Sequence, residues 1–325
     1  MVATLTTLTD CIAPELAAVD RLFHAELTSD VRPVNALVKH VSRFRGKMLR
    51  PTLVLLSGKA VAPDLTDAHV TIATVVEMVH MATLVHDDVL DEAELRRRGA
   101  TINHLRGNEA AVLLGDYLIS HSFHLCSSLQ SQYASRYIGR TTNQVCEGEL
   151  LQIDNRNNLD LSEETYLQIV TRKTASLCAA CCHLGAQLSG ATERQARALE
   201  DYGLRLGIAF QIQDDILDIV GDASTVGKTL GIDVEKCKLT LPMIHFLRAA
   251  PAEHRALLRS LLRSADADKA EKIRNLILPS GSVEFAAARA RALVDQARAG
   301  LNELPDSESR RVLDRMAEFV VARAL

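Results

Sequence analysis

Residues 76–91 read VEMVHMATLVHDDVLD and place an acidic DDxxD motif, Asp87 to Asp91, at the end of a long apolar segment. A second copy, Asp214 to Asp218, ends the segment AFQIQDDILD at residues 209–218. On a helix, the first and last aspartates of each motif project from nearly the same side. Carboxylates this close repel one another and are costly to desolvate unless a cation joins them. The motifs therefore predict helix ends that present paired carboxylates to cations.

A solvated helix face or an N-cap cluster is the alternative explanation for a single DDxxD motif. The two copies share more than their acids, because each has apolar residues at both x positions and a mostly apolar stretch before its first Asp. Closely spaced oxygen ligands suit Mg²⁺, which commonly binds through one or two carboxylates plus substrate phosphates. The pair of motifs thus favours a site for a metal-bound diphosphate.

The composition favours helices. The chain has 325 residues, 47% of them hydrophobic, with only eight Pro, 16 Gly and no Trp, which is typical of helical proteins rather than β-sandwiches or barrels. Helical periodicity recurs throughout, and the helix that carries the first motif is expected to begin near Asp67. Ser162 is expected to be a helix N-cap, and Thr192 with Gln195 has capping-box spacing. Since no Ser/Gly-rich linker divides the chain, we expect one all-α domain over residues 1–325.

Charge and hydropathy argue against several classes of protein. A net charge of −4 and a pI near 6.3 give no global basic field for nucleic acid. The segment Met1–Asp20 lacks a basic start and a long apolar stretch, and no run of about 18 uncharged apolar residues occurs, so we expect neither a secretory signal nor a membrane span. The odd number of cysteines favours a reduced, cytoplasmic location. We interpret the Cys178-x-x-Cys181 pair as close helix packing, with zinc or redox chemistry as the alternative.

Basic residues accompany both acidic motifs, as a site for a diphosphate would require. For any one of them, an exposed surface charge is the alternative explanation. They are Arg96, Arg97 and Arg98 after the first motif, Lys228 and Lys238 after the second, Arg43, Arg45, Lys47 and Arg50 around Gly46, and Lys173, which precedes Thr174 between the motifs.

These motifs, taken in order, resemble the trans-prenyl diphosphate synthase family, of the polyprenyl synthetase type that includes octaprenyl and heptaprenyl diphosphate synthases. The resemblance covers nearly the whole chain. Its segments are GKMLRP at 46–51, Glu77 to His80, 84–97 with the first motif, Gly115-Asp116, GELLQ at 148–152, KTA at 173–175, 210–218 with the second motif, and 227–242. It implies the isoprenoid synthase fold, a single-domain helical bundle around a central cavity, and a homodimer.

The resemblance also implies the reaction. An allylic diphosphate, expected to be farnesyl or geranylgeranyl diphosphate, loses diphosphate to give a carbocation; the double bond of isopentenyl diphosphate attacks it, and a proton leaves. Three Mg²⁺ ions per active site are implied when substrate is bound, with Asp87, Asp91 and Asp214 as ligands. Asp88, Asp215 and Asp218 would support them directly or through waters. Peripheral membrane contact is a further expectation, since the product must be released.

The resemblance assigns the remaining site residues to the two substrates. The allylic diphosphate would be bound, and its departure assisted, by Arg96, Lys173, Thr174, Gln211, Lys228 and Lys238. Isopentenyl diphosphate would be held by Lys47, Arg50, His80 and Arg97. A histidine in an apolar helix is commonly a core residue, which is the alternative for His80, and His86 is expected to be structural.

Three positions depart from the family pattern. Met48 stands where an Arg is usual, and Arg98 where a Gly is usual, so that the arginine pair could be Arg97-Arg98 instead of Arg96-Arg97. Cys237 replaces a Gly before Lys238, which matters because Gly tolerates positive φ and Cys seldom does.

Product length in this family depends on a hydrophobic tunnel below the first motif. The residues four and five before Asp87 are Thr83 and Ala82, neither of them aromatic, and Met78 lies a turn earlier. The first motif also lacks the two-residue insertion of bacterial short-chain enzymes. We expect an open tunnel and products of C30 to C50, centred near C40. Phe123 is a candidate floor, with an ordinary core position as the alternative.

Other functions remain open at this point. A terpene cyclase shares the scaffold and a first DDxxD, but this chain keeps a second one together with Lys47, Arg50 and His80. A geranylgeranyl diphosphate synthase, a catalytic or non-catalytic subunit of a heteromeric prenyl synthase, and a magnesium-dependent hydrolase are the further alternatives. Consumption of isopentenyl diphosphate separates the terpene cyclase from a prenyl diphosphate synthase, activity of the purified chain alone tests the non-catalytic subunit, and product sizing tests the geranylgeranyl alternative.

Overall fold

The computed structural model describes residues 9–44, 46–96, 99–221, 232–266 and 268–322, and these are mainly helical. The predicted all-α class is confirmed. The α-helices are α1 (Ala13–Glu26), α2 (Arg32–Val41), α3 (Leu49–Val61), α4 (Asp67–Leu90), α5 (Ile102–Arg106), α6 (Asn108–Ser127), α7 (Gln132–Asp154), α8 (Glu163–Val170), α9 (Ser176–Leu188), α10 (Glu193–Val220), α11 (Ile232–Glu235), α12 (Leu241–Ala249), α13 (Ala252–Arg263), α14 (Lys269–Ile277), α15 (Ser282–Gly300) and α16 (Glu308–Ala322).

Local sequence signals explain several helix starts. Helix α4 begins at Asp67, as predicted, after a capping box in which the Thr66 amide donates to His69 Nδ1 over 3.0 Å. Ser162 caps α8 by accepting from the Thr165 amide at 3.0 Å. Before α10, the Thr192 amide donates to Gln195 Oε1 and the Gln195 amide donates to Thr192 Oγ1, at 3.0 and 3.3 Å. Both predicted caps are therefore present.

The chain divides into two compact units, each made of three separate stretches. Unit one comprises Met1–Asn143, Leu177–Gly203 and Gly300–Met316. Unit two comprises Gln144–Ser176, Leu204–Ala299 and Ala317–Leu325. The single domain expected over residues 1–325 stays a prediction.

In unit one, α4 packs most extensively against α6, and also against α3 and α1. Its middle turns are fully buried, as Val75, Met78 and Ala82 show. Among the described residues, α4 is also the one helix long and apolar enough to cross a membrane, but 67% of its most apolar window is buried inside the protein. That burial is what a core helix shows.

A two-stranded hairpin is the departure from an all-helical chain. Strand β1 (Leu95–Arg96) pairs antiparallel with β2 (Gly99–Ala100). Strands of two residues are too short to produce a readable alternation of apolar and polar residues, which explains why the sequence did not predict them. The His40 ring lies 2.7 Å from the Ala100 carbonyl oxygen, measured from Nε2, and ties the hairpin to α2.

In unit two, α8 is followed directly by a π-helical turn, Thr171–Ala175, which leads into α9. Glycine at position 148 of α7 permits the close approach of this turn, because a Cβ there would lie 2.8 Å from the Arg172 Cβ. Turns of this type occur frequently at functional sites. Here the turn contains Lys173 and Thr174, two of the predicted site residues.

Candidate active site

The first acidic motif occupies the last turn of α4. Asp91 is the C-cap, and the helix ends in a Schellman motif: the Ala93 amide donates to the Asp88 carbonyl at 2.9 Å and the Glu92 amide to the Val89 carbonyl at 3.1 Å. Glu92 takes the left-handed conformation, with φ 49°. The negative end of the helix dipole thus adds to three carboxylates, so the motif favours cations strongly.

The chain itself satisfies the middle aspartate of this motif. Asp88 is buried, and its Oδ1 accepts from Arg96 Nε at 2.8 Å and Nη2 at 2.7 Å. Burial raises the pKa of Asp88, while the hydrogen bond and charge of Arg96 oppose that rise. Asp87 and Asp91 are partly exposed. The geometry therefore separates one structural carboxylate from two that are accessible.

Asn103 is a residue of this region that sequence reasoning missed. Its Nδ2 donates to the Ala93 carbonyl at 3.0 Å and to the Asp88 carbonyl at 3.2 Å. Thr101, the N-cap of α5, adds a hydroxyl hydrogen bond of 2.6 Å to the Ala93 carbonyl. The segment after the motif is therefore fixed from both sides. In the sequence, only a helix cap at Thr101 could be recognised here, and a cap does not predict which carbonyl groups Asn103 contacts.

The other predicted residues of unit one lie on α4 and at the start of α3. His80 is partly buried within α4, and His86 Nε2 lies 3.4 Å from Asp116 Oδ1 on α6. Lys47 is exposed, and Met48 takes a left-handed conformation, with φ 54°, as N-cap of α3. Arg50 is partly buried. Its positive charge opposes the rise in pKa that burial causes at Cys178 and Cys181, the thiols of the CxxC segment.

The second acidic motif lies near the end of α10 and repeats the division found in the first. Asp215 is buried and accepts from the Tyr166 hydroxyl at 2.6 Å and from Gln211 Nε2 at 2.9 Å. Asp214 and Asp218 are partly exposed. In both motifs, then, the middle aspartate is held by donors of the chain, and the first and last remain accessible.

Unit two contains a cavity of about 130 Å³ beside this motif. Five predicted site residues line it together, and five polar residues that sequence reasoning did not assign also reach it. The first group is Lys173, Thr174, Gln211, Asp215 and Lys238, and the second is Gln152, Asn155, Arg156, Tyr166 and Thr240. The Thr174 hydroxyl donates to Gln211 Oε1 at 3.2 Å, and Lys173 forms an ion pair with Glu149. Unit two therefore brings these five residues together, and their roles as substrate contacts stay a prediction.

Two predicted site residues, Arg97 and Lys228, lie outside the described residues, as does Arg98. Cys237, which replaces a family glycine, lies within them. It keeps the left-handed conformation a glycine would adopt, with φ 51°, and its thiol lies 3.1 Å from the Leu262 carbonyl oxygen. The loop before Lys238 therefore keeps a positive φ in spite of the side chain.

The candidate chain-length residues differ in exposure. Ala82 and Met78 are fully buried in α4, while Thr83 is partly exposed and donates its hydroxyl to the His80 carbonyl at 2.8 Å. Phe123 on α6 is partly exposed and lies beside Gly139 of α7. None of the three α4 side chains is aromatic, as an open tunnel requires. The tunnel itself stays a prediction.

The cysteines are free thiols. Cys178, Cys181 and Cys182 are buried, and burial raises their pKa values, that of Cys182 to about 12. A Cβ at position 203 would lie 2.5 Å from the Cys178 carbonyl oxygen, so the segment packs closely against α10. The packing interpretation of the CxxC segment is supported.

Among the described side chains, no three His, Cys, Asp or Glu residues form a group that could enclose a metal ion by itself. Mg²⁺ in proteins keeps several waters and takes one or two carboxylates together with substrate phosphates. Partly exposed aspartates at i and i+4, as in each motif, are such a donor set.

This chain is similar to known proteins in both sequence and structure. A family model described as polyprenyl synthetase matches residues 31–277. The octaprenyl diphosphate synthase of Escherichia coli (strain K12) is 36% identical over 312 residues, 96% of each chain. A decaprenyl diphosphate synthase structure from Rhodobacter capsulatus gives a TM-score of 0.93 at 36% identity, covering 99% of this chain and 100% of that one. A polyprenyl synthase from Caulobacter crescentus CB15, complexed with calcium and isoprenyl diphosphate, gives 0.93 at 33% identity, covering 100% and 99%.

The chain belongs to the polyprenyl synthetase family, since the family model spans most of it and relatives match over nearly their full length. The predicted isoprenoid synthase fold and the predicted prenyltransferase activity are thereby confirmed. The octaprenyl and decaprenyl relatives support a trans-polyprenyl diphosphate synthase of medium to long chain length, acting on isoprenyl diphosphates.

Proposed function

We propose that this chain condenses isopentenyl diphosphate with farnesyl or geranylgeranyl diphosphate and makes products of C30 to C50, centred near C40. The observation that carries the proposal is the arrangement shared by both motifs, in which a buried, hydrogen-bonded aspartate lies between two accessible ones. In the reaction the allylic C–O bond breaks, its electron pair leaves with the diphosphate, the isopentenyl double bond forms the new C–C bond, and a proton is lost.

We propose Mg²⁺ as the metal, three ions per active site with substrate bound, and Asp87, Asp91 and Asp214 as ligands. When bound, the ions would supply Lewis-acid stabilisation of the charge on the leaving diphosphate. Asp88, Asp215 and Asp218 would keep these ligands in place directly or through waters. Support comes from the donor chemistry of both motifs and from the calcium and isoprenyl diphosphate of the Caulobacter relative.

The chain's own cations would bind the two substrates. Lys173, Thr174, Gln211 and Lys238 line the unit-two cavity and are proposed to bind the allylic diphosphate, as is Lys228. Arg96 donates to Asp88 through Nε and Nη2, so its proposed diphosphate contact would use Nη1 or the second N–H of Nη2. For isopentenyl diphosphate we propose Lys47, Arg50, His80 and Arg97.

Incubation of the purified chain with Mg²⁺, labelled isopentenyl diphosphate and farnesyl diphosphate tests the function. Products near C40, lost on adding EDTA and restored by Mg²⁺, are expected. A terminal C20 product would contradict the chain length, and no incorporation would favour a subunit of a heteromeric synthase, a terpene cyclase or a hydrolase.

The proposed tunnel has its own test at Ala82. Because Ala82 is fully buried on α4 below the motif, a Phe or Tyr there should block the tunnel and shorten the product by several isoprene units. Product sizing measures the shift, with the melting temperature as a control for overpacking. An unchanged distribution would show that Ala82 does not line the tunnel.

We also propose that the protein is a cytoplasmic homodimer. It would contact the membrane peripherally when the product is released. Unit one exposes apolar side chains at the end of α5 and the start of α6, namely Leu105, Val112 and Leu113, the last at 68% exposure. An exposed apolar cluster of this kind supports a protein interface. Leu113→Lys should shift the mass measured by light scattering from dimer to monomer.

A further inference from the structure

Arg156 is a third cation of the cavity beside the second acidic motif. It lines the cavity together with Lys173 and Lys238, and the side chains of Thr174 and Thr240 line it as well. Neither the motif spacing nor the family resemblance assigned a role to Arg156.

Arg156 lies in the turn that follows α7, two residues after the helix ends at Asp154. On α7, Glu149 and Gln152 are three residues apart and so share one side of the helix. Glu149 pairs with Lys173, and Gln152 lines the cavity. The Arg156 amide donates to the Ile153 carbonyl at 3.1 Å, which continues the helical turn beyond Asp154. The backbone at Arg156 is therefore fixed.

The charge of the cavity favours an anion. Its lining contains three cationic side chains and a single carboxylate, that of Asp215. The two oxygens of Asp215 accept hydrogen bonds from Tyr166 and Gln211, one on each oxygen. A guanidinium adds what the two lysines lack, because its planar fork matches two phosphate oxygens at once, whereas an ammonium acts as a point charge.

We propose that Arg156 binds the diphosphate group of the allylic substrate and keeps hold of it as inorganic diphosphate after the C–O bond has broken. The electron pair of that bond leaves with the diphosphate, and Arg156 shares its added negative charge with Lys173 and Lys238. This inference rests on the proposed function, since it names a further contact of the same substrate.

Arg156→Gln tests the inference against Arg172→Gln. Arg172 is a neighbour of Lys173 in sequence, but it pairs with Glu147 at 2.6 Å on an exposed face and does not line the cavity. Hydrogen bonds to charged groups contribute more to binding free energy than neutral ones do. Arg156→Gln should therefore raise the KM for farnesyl diphosphate and the inhibition constant for inorganic diphosphate, each about tenfold. The KM for isopentenyl diphosphate should stay within about twofold. Arg172→Gln should change none of these, and Arg156→Lys should restore part of the loss.

Calorimetric binding of inorganic diphosphate with Mg²⁺ separates this inference from the proposed function, because it requires no turnover. Weaker binding by Arg156→Gln, with an unchanged melting temperature, supports the inference even if condensation is not observed. Equal binding by wild type and Arg156→Gln, or an equal loss in Arg172→Gln, would overturn it.

Discussion

The two acidic motifs are nearly identical in sequence, yet the chain satisfies their buried middle aspartates by different means. Asp88 is bound by a cation, the guanidinium of Arg96, at 2.7 and 2.8 Å. Asp215 is bound by neutral groups, the Tyr166 hydroxyl and the Gln211 amide, at 2.6 and 2.9 Å. The described hydrogen bonds to Asp88 therefore come from a charged donor, whereas those to Asp215 come from neutral donors.

The donors also come from different kinds of structure. Arg96 belongs to the two-residue strand β1, so its position depends on the hairpin and on the hydrogen bonds of Asn103. Gln211 lies one turn before Asp215 on the same helix, and Tyr166 lies on α8. The first motif thus depends on a loop that must fold correctly, and the second depends on helix packing. The comparison predicts that the same type of change will have unequal effects at the two sites.

The largest effect is expected where the motifs are alike, at their accessible first aspartates. Asp87→Ala and Asp214→Ala should each lower kcat/KM by about 100-fold or more, because each removes a proposed ligand of the ions that would stabilise the leaving group. Incorporation of labelled isopentenyl diphosphate at saturating Mg²⁺ measures the loss. Near-normal turnover in either variant would remove that residue from the metal site and break the equivalence of the motifs.

The middle aspartates should separate the motifs. Arg96→Gln leaves Asp88 buried without its cation, which should lower the free energy of unfolding by about 3 kcal/mol. Tyr166→Phe removes one neutral hydrogen bond from Asp215 and should cost about 1 kcal/mol. Urea denaturation of both variants gives the comparison.

The double variant Arg96→Gln, Asp88→Asn provides the control. Removing the charge that Arg96 balances should recover most of the loss, because no buried carboxylate then lacks a cation. A Tyr166→Phe variant as unstable as Arg96→Gln would show that charge is not what distinguishes the two motifs.

Features that depend on contacts within one helical turn could be predicted from the sequence, and features that depend on contacts between distant residues could not. The start of α4 at Asp67 and the Ser162 cap were readable, because both are set by residues within one turn. The partners of the middle aspartates were not, since Tyr166 lies 49 positions from Asp215 and Arg96 reaches Asp88 through a hairpin. Local propensity contains no term for such packing.

The departures from the family pattern illustrate the same limit. The sequence indicated a conflict at Cys237, where a family glycine is replaced, and the structure resolves it by keeping φ at 51°. Met48 also takes a left-handed conformation, which nothing in the residue type suggested. Backbone conformation at both positions is determined by the surrounding structure rather than by the residue itself.

A smaller effect is expected from Asn103→Ala, which acts on the first motif alone. Loss of the two hydrogen bonds to the Ala93 and Asp88 carbonyls should cost about 1–2 kcal/mol of stability. The loosened turn should also raise the Mg²⁺ concentration needed for half-maximal activity by about threefold, roughly 0.7 kcal/mol. A Mg²⁺ titration of activity measures this, and a stability loss without any change in Mg²⁺ dependence would limit Asn103 to a structural role.

The smallest expected effect is at Glu92, where a substitution should raise the free energy of unfolding instead of lowering it. Its φ of 49° is the conformation that the Schellman motif ending α4 requires, and a side chain there is strained where glycine is not. Glu92→Gly should relieve that strain and remove a negative charge beside Asp91, while the added freedom of glycine in the unfolded chain opposes the gain. The net result should be about 0.5–1 kcal/mol of added stability in urea denaturation. Glu94→Gly is the matched control, because Glu94 is also exposed and acidic but has no positive φ. It should lose stability, so a gain in both variants would assign the effect to charge rather than to the backbone of the first motif.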